Sequence, residues 1–141
     1  RRQLRGSDKI LDEMQNRLKF VKSAIQQYPQ TELSWMTEVK KIEGAIHDAQ
    51  IDMWGDWHKS KRDVETKTSV GNRIETVVYQ CWYSTSNPTT TQKDQYKIAQ
   101  ELYADLKKEI ESIKASVENL EAKLNNAGVP YTPARPNFKE D

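Results

Sequence analysis

Apolar side chains recur along this chain at alternating steps of three and four, in four separate stretches. In the first, Leu11, Met14, Leu18, Val21, Ile25 and Tyr28 form one helical stripe, with Ser7 expected as its N-cap and Pro29 stopping the run. The second carries Trp35, Val39, Ile42, Ile46, Ala49 and Met53 after Thr31, and Gly55 is placed to end it in a left-handed conformation. The third is shorter. Behind Ser69, residues Val70, Ile74, Val77, Val78, Cys81 and Trp82 share one face, which predicts that Trp82 is core and Cys81 at least partly buried. The fourth stripe is the longest, with Ala99, Leu102, Leu106, Ile110, Ile113, Val117, Leu120 and Leu124 backed by Glu and Lys.

The joints between these stretches have their own chemistry. In "SNPTTTQ" Pro88 breaks the third helix, and Thr89 followed by Gln92 is a capping-box pattern for the fourth. Gly128 and Val129 match a Schellman ending in which Val129 contacts Leu124, and Pro130 forbids continuation. The pattern therefore predicts an all-α, four-helix, up-and-down bundle over residues 1–128, with a long C-terminal helix and an extended Pro-containing tail over 129–141. At 1.5 Å per residue the fourth helix is ~57 Å long and the third only ~22 Å. The connection from Gly55 to Thr68, anchored by Trp54 and Trp57, is expected to act as a lid over the excess stripe around Leu106 and Ile110. The alternatives for that cover are an upstream domain or a second copy in a weak homodimer.

Composition narrows the function classes. With 35% hydrophobic and 30% charged residues and only five Gly and five Pro in 141 residues, the balance is that of a helical bundle. Lys+Arg number 22 against 21 Asp+Glu, so no long-range field draws in nucleic acid. No apolar run approaches the ~20 residues of a membrane span, and no signal-peptide pattern occurs. The chain starts at Arg1 without a Met, which suggests a piece cut from something longer or a processed product. Its single cysteine forms no internal disulfide.

Catalytic and metal chemistry finds little purchase. A Cys81 nucleophile needs a base in reach, and only His47 and His58 exist. The Glu-x-x-His pairs of a di-metal bundle are absent, because Gly44 and Gly55 stand three before the histidines. The glycines are isolated, so no phosphate-cradling loop forms. Carboxylates such as Asp48, Asp52, Glu109 and Glu118 fall on helix faces where solvated charge is the ordinary role. The expectation is no catalytic residue, no cofactor and no metal. The residues best suited to an interaction surface are Trp54, Trp57, His58, Arg62 and Tyr83. Tryptophans there suit a protein contact or a platform for a sugar ring.

From Gly55 onward, the order Gly55-Asp56, Arg62, "SVGNRI" at 69–74, Trp82, "STSNPTTTQ" at 84–92, Tyr96, Ala99 and "AGVPYTPAR" at 127–135 resembles the C-terminal helical region of bacterial sortilin-type, BNR-repeat β-propeller proteins. Members of that family are often called glycosyl hydrolases. The resemblance covers about two thirds of the chain; the first two helices match only as an amphipathic hairpin, and "WHKSKRDVETKT" replaces a Pro-rich connection. It implies a non-catalytic structural or docking domain after a propeller, in an exported protein that is periplasmic or extracellular. The partner would be that propeller or another protein. Two further expectations stand beside it: a stand-alone protein-interaction bundle and a carbohydrate-binding module using exposed Trp.

Overall fold

A computed structural model of the chain describes residues 1–28, 32–62 and 64–129. It is all helical, in the order α1 (Arg2–Gln27), α2 (Leu33–Trp54), α3 (Trp57–Ser60), α4 (Val70–Tyr83) and α5 (Thr90–Asn126). The expected stops at Pro29 and Thr31, and the tail from residue 130, lie outside the described residues.

Side-chain bonds fix the directions of the helices. Ser7 Oγ meets Tyr103 Oη at 2.9 Å, Arg17 Nε donates to Glu121 Oε1 at 2.9 Å, and Tyr28 Oη donates to the Ala127 carbonyl at 3.1 Å. Residue numbers rise together in those pairs, so α1 runs parallel to α5. Lys123 Nζ donates to Glu38 at 2.8 Å while Asp52 shares a hollow with Asp105, so α2 runs antiparallel to α5. A short joint over 84–89 turns α4 back on α5 beside the Arg73 Nη1–Gln95 bond at 2.8 Å, so α4 runs antiparallel to it as well. The connection from Gly55 to Ser69 thus lets α4 continue the direction of α2 rather than reverse it. Three helices, α1, α2 and α5, form the body of the bundle. α4 takes over from α2 along the N-terminal part of α5.

The core follows this division. Leu11, Leu18, Ile25, Val39, Ile46, Met53, Val117, Leu120 and Leu124 are all but fully buried in one contiguous cluster. That cluster reaches α4 at Val70, with Ile74 packed against it; Val77 and Ala99 are buried outside it. α1, α2 and α4 pack against the fourth stripe; of the connection expected as a lid, residues 64–69 line a hollow with Leu106, whereas the Trp54 ring lies at Gly71.

Several joints form as expected. Ser69 Oγ accepts from Asn72 N at 3.2 Å, and Thr89 with Gln92 makes the reciprocal capping box at 3.3 and 3.0 Å. At the end of α5, Val129 N donates to Leu124 O and Gly128 N to Asn125 O, both at 3.1 Å, with Gly128 at φ 77°. That is the Schellman pair, and Val129 is buried with Leu124. Two joints differ. Ser7 does not cap: the helix begins five residues earlier, at Arg2, and Ser7 is buried against Tyr103. Gly55 ends α2 at φ 93°, ψ 164°, an extended positive-φ conformation rather than the left-handed helical one, and glycine alone enters it without strain.

Candidate functional site

Tyr103 touches Ser7 of α1, and Tyr96 stands seven residues before it on the same face of α5. α1 has already begun at that level: Arg1 Nη2 lies 3.3 Å from Glu75 on α4. Beyond Glu75, then, α4 and the start of α5 continue as a two-helix hairpin with the α1 side open. α2 does not cover it, because its last turn meets α4 at Gly71, where the Met53 carbonyl and the Trp54 ring would lie 2.9 Å from an added Cβ.

The open side is aromatic. Trp82 is 82% exposed, Tyr83 74%, Tyr79 65% and Tyr96 50%. The expectation that Trp82 is core is therefore corrected, and Cys81 is exposed too. A stripe shows that one face of a helix is apolar; burial also needs an element opposite, and at this level only α5 stands beside α4. Trp82, Tyr79, Tyr83 and Val78 line a shallow groove closed at one end by Arg1 and Glu75. Tyr79 and Tyr83 brace each other one turn apart, ring centroids 4.5 Å and planes 46° apart. Residues 76–92 carry no charged side chain. In a chain with 30% charged residues, that run was the sequence signal for this surface, and it is easily read as a mere bend.

The proposed interaction residues fall in two places. Tyr83 belongs to the hairpin groove. Trp54, Trp57, His58 and Arg62 sit at the end of α2 and around α3, and from Gly71 to Tyr83 along α4 is ~18 Å. Asp56 caps α3, its carboxylate accepting from the backbone of Lys59 and His58, and these bonds hold its pKa below the ordinary value. Trp57 points outward, 67% exposed, with Lys61 Nζ 5.0 Å over its ring, so one stacking face is taken by a cation. Trp54 lies over Gly71 rather than over Leu106.

A second hollow lies between α2, α5 and the non-helical segment 64–69, lined by Ile51 and Leu106 and by Asp48, Asp52, Asp105 and Glu109. Burial pushes the Glu109 carboxyl above its usual range, and Asp52 and Asp48 push it further. Among the described residues, no group of three or more His, Cys, Asp or Glu is placed to hold a metal ion, and no helix is long and apolar enough to cross a membrane. Compared with protein families, curated proteins and solved structures, the chain matches none of them.

Proposed function

We propose that this chain is a non-catalytic helical docking domain whose contact surface is the free end of the α4–α5 hairpin. The observation that carries the reading is Trp82, 82% exposed among three more uncovered tyrosines. Each aromatic side chain of this kind can bury about 150–250 Å², and the Tyr79, Trp82 and Tyr83 cluster, with charge only at the Arg1–Glu75 end of its groove, has the composition of an interface centre. Water is a poor neighbour for such a face, and contiguous apolar patches on soluble domains commonly mark contacts. The resemblance to helical regions that follow propellers supports an accessory role in a larger exported protein.

The test uses the whole chain in its native cell, with a photoreactive phenylalanine analogue at Tyr83 or, as control, at Ser116, which is exposed on α5 away from the hairpin. The expected result is a discrete crosslinked species from position 83 that disappears with Trp82→Ala while the helical signal is kept. Crosslinking at 83 no greater than at 116 overturns the reading.

A further inference from the structure

We propose that residues 64–69 form a pH-dependent strap, which closes over the hollow between α2 and α5 when Glu109 takes up a proton and stands open when Glu109 is charged. The device is separate from the hairpin groove, with which the hollow shares no lining residue.

The hollow combines two chemistries in about 550 Å³, room enough for many waters. Its apolar lining is Ile51 of α2, Leu102 and Leu106 of α5 and Val70 at the start of α4, while Val64 of the strap is left 50% exposed. Charge reaches it from every surrounding element. α2 supplies Asp48 and Asp52, and α5 supplies Asp105 and Glu109; each pair is one turn apart, so two acidic rows meet at the hollow. Asp56 and Lys59 come from α3 and its cap, and Glu65 and Lys67 from the strap.

Six carboxyl groups thus stand against two lysines. Lys59 is engaged locally, its Nζ 3.7 Å from Asp56. That leaves Lys67 to answer the four carboxylates of the helices. Its pull on them favours closure at neutral pH, but one ammonium against four carboxylates leaves the hollow anionic. Ionised, the rows repel each other and need water between them, so the strap is kept from the apolar lining.

Glu109 is the group that changes this balance. Burial raises its pKa, and the charges of Asp52 and Asp48 raise it further. One proton removes its share of the repulsion and turns an acceptor into a donor that a neighbouring carboxylate accepts from. The strap is built to respond. Val64 N donates to Lys59 O at 3.2 Å and Ser69 Oγ accepts from Asn72 N at 3.2 Å, so both ends are anchored while residues 64–68 are exposed. Closure moves Val64 onto Leu102 and Leu106 and encloses Glu109 more fully, which raises its proton affinity in turn.

Nuclear Overhauser contacts between the methyl groups of Val64 and those of Leu102 and Leu106 read the strap directly, and the carboxyl carbon shift of Glu109 reads its proton. A titration from about pH 8 to about pH 4.5 stays above the ordinary Asp range. The expected result is that the contacts strengthen severalfold on acidification, with the midpoint of the Glu109 titration. Glu109→Gln, neutral throughout, should show the contacts at both ends of the range. Asp52→Asn removes one of the charges acting on Glu109 and should lower the shared midpoint. Contacts that are constant with pH, that weaken on acidification because the pull of Lys67 dominates, or that still titrate in Glu109→Gln overturn the strap. Should Glu109→Gln lose its helical signal, an unmoved midpoint in Asp52→Asn overturns it equally.

Discussion

Glu121 sits on the buried face of α5, its side chain 3% exposed, and Arg17 of α1 reaches it through both Nε and Nη2. The bond to Glu121 raises the Arg17 pKa, outweighing the burial that would lower it. A two-pronged pair fixes the register of α1 on α5 more firmly than apolar contacts, which tolerate sliding. Glu121→Ala strands the guanidinium and should cost about 3–5 kcal/mol, whereas Arg17→Met with Glu121→Leu should be near neutral in urea unfolding. Glu109 makes the opposite case. Its raised pKa means that the native state holds a proton more tightly than the unfolded chain, so its contribution to stability falls as pH rises from the ordinary carboxylate range through that raised value. Glu109→Gln should therefore stabilise the fold at neutral pH and remove that part of the slope. The difference between wild-type and variant unfolding curves across pH 4–8 or so isolates it from the neighbouring Asp48, Asp52 and Asp105. Gly71 is the third residue with an individual role. With the Met53 carbonyl and the Trp54 ring both 2.9 Å from an added Cβ, Gly71→Ala must move α4 away from α2, at a cost of about 1–3 kcal/mol in thermal or urea unfolding.

At the scale of elements, the stripes in α1, α2 and α5 were legible because each helix has neighbours along its length, and Leu11, Val39 and Val117 are fully enclosed where the periodicity puts them. Ser7 was misread for an instructive reason. It stands midway between Leu4 and Leu11, both buried, so it occupies a stripe position that happens to be polar, and Tyr103 supplies the hydrogen bond that makes this tolerable. α4 shows what periodicity leaves open. Val70 and Val77 are buried and Trp82 is not, although all three were assigned to one face. Trp82 stands five residues, about 140° round the helix, from Val77 and so off the buried line. The offset between α1 and α5, set by long-range pairs such as Arg17–Glu121, leaves no third helix beside it. Local signals did fix the joints. Thr89→Ala removes the acceptor for Gln92 N and opens the capping box, so it should destabilise by about 1 kcal/mol, measured by urea unfolding at a protein concentration where the chain is monomeric.

The whole molecule is a three-helix body with a two-helix projection, and the two parts should differ in how they open. Amides around Leu18, Ile46 and Leu120 lie within the contiguous core and can exchange with solvent only when the body unfolds. From Thr76 to Tyr83, α4 is backed by α5 alone, with Val77 and Ala99 buried apart from that core. Too little apolar area is enclosed there to hold the hairpin end against local fraying. Hydrogen exchange should thus show protection graded along α5, lowest in the turns after the Thr89 cap and rising past Leu102, with the end of α4 matching the start of α5. Uniform protection along α5 would mean that the projection is as firmly held as the body, contrary to the division drawn from the core.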